Sequence, residues 1–150
     1  MNAIHLPSGA GRHYPMIDGD HVAKAAVKDA AGAFEVFEVV AHAGPAAPPH
    51  ASPWTGVLVV LEGRLTVQVD GTSFHVEQGG TVVVPAGTPM TFEVDGEQAR
   101  VLAITSGDAA GQFFADFSRS VPANRPDEVS LEAILSVTAR HGVQLTGAGG

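Results

Sequence analysis

The sequence predicts an all-β domain, a sandwich or barrel of short strands closed by short C-terminal helices. Two observations carry this. Apolar runs of about strand length recur at short, regular intervals through the first two thirds of the 150 residues. Between them stand Asp29 to Gly32, Asp70-Gly71, Gly79-Gly80, Pro85 to Gly87 and Asp95-Gly96, residue types that supply the backbone angles of a reversal. Turns this tight leave no room for crossover helices, so a βαβ fold is disfavoured.

In chain order, the strands are expected at Val22 to Val27, Phe34 to Val40, Val57 to Glu62, Arg64 to Val69, Thr72 to Val76, Thr81 to Val84, Pro89 to Val94 and Arg100 to Thr105. A loose N-terminal segment, 1–19, precedes a barrel over 20–106. His5, His13, His21 and Tyr14 belong to or border that segment, which is expected to cross to a neighbouring subunit, and they carry no assignable role. Past Ser106 the rhythm changes. Phe113, Phe114 and Phe117 lie on one side of a short helix, and Leu131, Ile134, Leu135 and Thr138 recur at helical spacing. Asp127 is the expected N-cap of the second helix, Arg140 and His141 suit its negative end, and Gly142 is a left-handed terminator. Residues 107–146 therefore form a helical cover, and the GAGG of 147–150 is expected to be disordered.

Composition narrows the function. One soluble domain with one core fits 45% hydrophobic content at this length. With a formal charge of −8 and Lys24 and Lys28 as the only lysines, the surface offers nucleic acid or an anionic membrane little to hold. The absence of cysteine removes disulfides and thiolate chemistry. The N-terminus has no long apolar stretch of a secretory signal or a membrane span, so a cytoplasmic location is expected.

One stretch, GPAAPPHASPWTGVLVVLEG, carries a distinctive spacing: Gly44, five residues, His50, one residue, Ser52, three residues, Gly56, six residues, Gly63. A second runs Gly79, five residues, Pro85, one residue, Gly87, two residues, Met90, three residues, Val94. Together they resemble the two motifs of the cupin superfamily, over roughly residues 20–106. The tail, GQFFADFSRSVP followed by a helix ending ARHGVQLTG, is similar to that of bacterial single-domain cupins often described as quercetin-dioxygenase-like. The resemblance implies a double-stranded β-helix, or jelly-roll barrel, and a homodimer. It also implies a metal site of two histidines and a glutamate from the first motif and a third histidine from the second. Here His50 keeps the first of these positions, and Ser52, Gly56 and Met90 stand at the others. A divalent ion needs several converging nitrogen or carboxylate donors, so no metal cofactor is expected.

What remains is a lined interior. Alternation along extended chain places His50, Ser52 and Trp54 on one face, and Met90, Phe92 and Val94 on another. The inherited ligand positions make these faces interior, an apolar and aromatic pocket for a hydrophobic small molecule. His50 is the candidate acid or base, since imidazole exchanges protons near neutral pH; its plainer role is a hydrogen bond to a backbone carbonyl. Ser52 orients the imidazole, binds a substrate oxygen or simply fills space, and Trp54 packs or stacks on a flat substrate. His42, close to the site in sequence, is a substitute donor of unresolved facing. His75 is expected to face outward. Two function classes follow: a metal-independent enzyme acting on a polyketide-like or aromatic intermediate by isomerisation, cyclisation or elimination, and a non-catalytic binding module. A third, an oxygenase recruiting metal ligands from elsewhere, is the least favoured.

Overall fold

The computed structural model of the chain describes residues 2–123 and 131–146. Strands β1 (Arg12–Met16), β2 (Gly19–Asp29), β3 (Gly32–His42), β4 (His50–Ala51), β5 (Gly56–Glu62), β6 (Leu65–Val69), β7 (Thr72–Val76), β8 (Thr81–Val84), β9 (Met90–Val94) and β10 (Gln98–Ser106) come first. Helices α1 (Ala110–Ser120) and α2 (Leu131–Arg140) and a short last strand, β11 (Gln144–Leu145), follow. The strands form two antiparallel sheets, ordered β1-β2-β3-β10-β5-β8 and β11-β4-β9-β6-β7. From β3 onward the chain passes repeatedly from one sheet to the other, which is the jelly-roll path expected from the sequence.

The turn chemistry explains the hairpins. At the β6–β7 reversal both Asp70 (φ 50°) and Gly71 (φ 82°) are left-handed, the geometry a two-residue hairpin favours. Gly63, the closing glycine of the first motif, has φ 83°, and a Cβ there would lie 2.7 Å from the Gln98 carbonyl oxygen. Only glycine allows strands β5 and β10 to meet so closely at that corner.

The core lies between the sheets, where alternate residues from each wall meet: Phe37, Val60, Leu65, Val67, Ala99 and Val101 are all nearly inaccessible. On the outer face, Arg100 joins Glu38 and Glu62 across β3, β10 and β5 at 3.0 and 2.7 Å. The hydrogen bond that Arg100 donates to Glu38 raises the Arg100 pKa above its ordinary value.

A second apolar cluster, Met16, Phe113, Phe117, Val121, Val137 and Val143, lies under the helices, and Trp54 and Phe114 bridge it to the barrel core. Helix α1 is anchored from the sheet, because Glu35 Oε1 on β3 accepts a hydrogen bond from the Gly111 amide at 3.0 Å. A carboxylate at the positive end of a helix is the favourable sign.

Several expectations need correction. The N-terminal segment is not loose throughout: Arg12–Met16 pair with residues 19–23 of β2 in the same chain, and Lys24 Nζ donates to the carbonyls of Pro7 and Ala10. His13 contributes to the same anchorage. Its Nδ1 lies 2.6 Å from Asp20 Oδ2 and its Nε2 3.0 Å from the Gly9 carbonyl, and these bonds, Asp20 first, raise its pKa. In α2 Val137 and Thr138 are buried, Leu131 (65% exposed) and Ile134 border the cavity, and Leu135 (48%) faces outward. The apolar periodicity there was wider than the face that packs. Arg140 and His141 are held by Asp116 on α1, not by the helix end alone. Gly142 has φ 69°, as a left-handed terminator should. The expected cap at Asp127 and the 147–150 tail lie outside the described residues. Strands β4 and β11, two residues each, had no counterpart in the sequence reading.

Candidate functional site

A cavity of about 210 Å³ opens between the two sheets and runs beneath α1 and α2. It is bordered by His50, Ser52, Gly56 and Met90, the four positions that the resemblance marks as metal ligands. Their convergence has a structural origin. His50 pairs directly with Met90 across β4 and β9, and the Ser52 carbonyl, just past β4, accepts from the Gly87 amide at 2.8 Å, which ties the β4–β5 link to the β8–β9 turn. Thr91 Oγ1 donates to the Ala47 carbonyl at 2.6 Å and fixes the proline-rich approach to β4.

These residues do not fit a metal ion. The four positions offer one imidazole, one hydroxyl, one thioether and no side chain at all, and among the described residues no three His, Cys, Asp or Glu cluster as an ion would need. At Gly56 the missing side chain leaves room, since a Cβ there would find nothing within 4 Å.

The remaining wall is apolar and aromatic. Trp54 and Phe92 border the cavity, joined by Phe113 and Phe114 from α1. The Trp54 ring lies 5.8 Å from Phe113 and 6.4 Å from Phe114, centroid to centroid. His50 is half-buried in this setting, and among the described residues its imidazole has no hydrogen-bond partner. Both ring nitrogens are therefore free to meet a ligand.

Two other expected residues lie elsewhere. Val94 packs in the barrel core opposite Leu65 and does not border the cavity. His42 is exposed at the end of β3, paired with Gln98, and also stands apart from it. His75 is exposed and hydrogen-bonds Thr66 Oγ1 on the outer face.

The sequence reading placed none of Asp18, His21, Thr88, Thr105 and Thr138 at the cavity, and all five border it. His21, 6% exposed, borders the cavity from β2, with Nδ1 3.1 Å from the Gly19 carbonyl and its ring 4.5 Å from that of Phe114. Its cross-strand neighbour Val39 and the next one, Val101, border the cavity too, so one inward row crosses β2, β3 and β10. Thr105, 4% exposed, also borders it, and its buried Oγ1 has no partner among the described residues. The parity of Val101, Ala103 and Thr105 is a usable signal for the threonine; His21 precedes Val22, where the apolar run of β2 starts, and so carries no strand signal of its own.

The helical cover is locked by charge. Asp116 on α1 accepts from Arg140 Nη2 at 3.1 Å and lies 2.8 Å from His141 Nε2. Those bonds, His141 first, hold the Asp116 pKa down at about 2.

Fold and site thus define a jelly-roll β-sandwich with a mostly apolar cavity between its sheets. Residues 36–105 match the family model described as a cupin domain, which supports a cupin assignment for that stretch. Among solved structures it is similar to an RmlC-like cupin from Shewanella frigidimarina, at 18% identity and TM-score 0.61 over 74% of this chain and 96% of that one. It is similar as well to the polyketide cyclase RemF from Streptomyces resistomycificus, at 22% and 0.57 over 71% and 79%. A third is KdgF from Halomonas sp., at 17% and 0.56 over 63% and 84%. Identities this low speak for the fold alone, and they do not single out a quercetin-dioxygenase-like subset. No curated protein matches the chain. Among the described residues no helix is long and apolar enough to cross a membrane.

Proposed function

We propose that this cupin is a metal-independent enzyme that binds a planar, apolar small molecule in the barrel and promotes its isomerisation, cyclisation or elimination, with His50 as acid and base. The observation that carries this reading is the unpartnered His50 imidazole at the point where the inherited ligand positions meet an aromatic wall. Reactions of these types move protons without net oxidation. One imidazole that takes a proton from carbon beside a carbonyl and returns it elsewhere completes the balance, with no co-reactant. The cavity volume exceeds the roughly 150 Å³ that accepts benzene, which suits one or two fused rings. Ser52 supplies a hydroxyl to the same cavity, and Trp54, Met90 and Phe92 supply contact area. The similarity to a polyketide cyclase is in keeping with a polyketide-like or aromatic substrate.

The test is His50→Ala. Turnover of an aromatic polyketone should fall about a hundredfold or more while affinity changes by a small factor. If the variant keeps its rate, His50 is not the acid or base. If the wild type binds such compounds but transforms none, the chain is a binding module, a reading favoured by the lack of any side chain that orients His50. We further propose a cytoplasmic homodimer. Edge strands β7 and β8 leave Phe74 (44% exposed) and Val83 (56%) uncovered, and light scattering at micromolar concentration should give twice the chain mass.

A further inference from the structure

The cavity holds a second imidazole, on the wall opposite His50, and its chemistry is more tightly defined. A backbone carbonyl can only accept a hydrogen bond, so the contact between His21 Nδ1 and the Gly19 oxygen at 3.1 Å requires the proton on Nδ1. In the neutral ring Nε2 then carries the lone pair, and among the described residues nothing donates to it. The ring cannot swing away, since it is buried against Phe114, which in turn meets Phe37 edge-on at 4.8 Å. Gly19 is itself fixed, because with φ 146° it sits where a Cβ would lie 2.8 Å from the Val40 carbonyl oxygen. The result is a hydrogen-bond acceptor of set direction on a mostly apolar surface.

We propose that His21 selects ligands by accepting a hydrogen bond at Nε2 from a phenol or enol hydroxyl on the apolar molecule in the cavity. This inference rests on the cavity being a small-molecule site, and it specifies the substrate class as planar compounds with an acidic hydroxyl. An ether or hydrocarbon of the same shape leaves Nε2 buried without a donor, and a site built for a hydroxyl discriminates on that ground. His21 acts here as a recognition residue, and proton transfer to carbon stays with His50.

The probes are 2-naphthol and 2-methoxynaphthalene, with binding read from the fluorescence of Trp54, the only tryptophan in the chain, and checked by calorimetry. Wild type should prefer the naphthol about five- to tenfold, the scale of one neutral hydrogen bond. His21→Leu should erase that preference while holding 2-methoxynaphthalene affinity within about threefold, and His21→Gln, which keeps an acceptor, should restore part of it. A preference that survives in His21→Leu, or one that disappears only in His50→Leu, overturns the inference and leaves the proposed function standing. Failure of wild type to bind either compound overturns both. Should His21→Leu not fold, nitrogen-15 spectra of the wild-type histidines decide. A proton on Nδ1 with an Nε2 resonance that moves on adding 2-naphthol supports the assignment; a proton on Nε2, or no movement, overturns it.

Discussion

The two histidines of the cavity stand on walls of very different construction. His21 belongs to an 11-residue strand, β2, laddered on both sides, and the next strand, β3, pairs with β10 over nine residue pairs from Gln98↔His42 to Ser106↔Phe34. His50 belongs to a strand of two residues that meets its barrel neighbour β9 at a single pair. Long backbone ladders fix direction around His21, whereas around His50 only the short β4–β9 and β4–β11 pairings and the bond from the Gly87 amide to the Ser52 carbonyl do so. The difference is in keeping with the proposed roles: a group that reads a ligand by direction gains from rigidity, and a group that takes and returns a proton gains from small adjustments.

The strongest way to break the contrast is to bind the walls together. Ser52 and Met90 accompany His50 on the short-stranded side, while Gly56 starts β5 on the other. Restoring the inherited donors with Ser52→His, Gly56→Glu and Met90→His should create a site for about one zinc or nickel ion per chain. Micromolar or tighter binding, about 8 kcal/mol, is expected. Wild type should purify without stoichiometric metal; elemental analysis reads both, and a wild-type ion lost together with activity on chelation would overturn the proposed function.

Next in size is the core of the rigid wall. Phe37→Ala, at a ring 1% exposed, should cost about 3–5 kcal/mol in urea unfolding. Phe92→Ala on the other wall faces a cavity that already exists and should cost about 1–2 kcal/mol. Equal losses would mean the two walls are equally packed.

The helical cover adds a pH dependence of definite sign. The folded Asp116 pKa of about 2 lies below the ordinary carboxylate value, so its contribution is complete above about pH 4 and is lost as pH falls through 2. Asp116→Asn should therefore lower stability at pH 7 by about 1–2 kcal/mol, trimmed because Arg140 is half exposed, and should have little effect near pH 2. Thermal melts at both values check it. The smallest effect is expected at Thr105, where Thr105→Val removes an unpartnered buried hydroxyl and should be neutral or stabilising by up to about 1 kcal/mol. A clear loss would show that the hydroxyl has a partner in solution.

How much of this was legible follows the same divide. The long-stranded wall announces itself in runs such as Phe34 to Val40 and Arg100 to Thr105, because local alternation and turn residues suffice to define a strand with two neighbours. Strands β4 and β11 carry no such signal: two residues cannot show a period, and their pairing is set by where the rest of the chain brings them. The inherited motif located His50, Ser52, Trp54, Met90 and Phe92 at the cavity even so. It misled at Val94, where alternation gave the right face and could not give the depth. His42 was undecided for a related reason, since its end of β3 runs out past the cavity into solvent. Leu135 shows the limit for helices, where apolar spacing marks a face that can be buried and tertiary contact chooses which part is.

Strand β11 has a consequence for traffic into the barrel. It pairs with β4 at Leu145↔His50 and Gln144↔Ala51, so the strand bearing His50 shares more register pairs with the end of the described chain than with the barrel. Leu145 borders the cavity, and the Thr146 amide donates to the Pro49 carbonyl at 2.9 Å. Peeling back these few residues breaks no long ladder, so this end is expected to open more readily than the long strands and to admit ligand beside His50. Amide hydrogens of Ala51, Leu145 and Thr146 should accordingly exchange orders of magnitude faster than those of β3 and β10, and a bound ligand should slow the former far more than the latter.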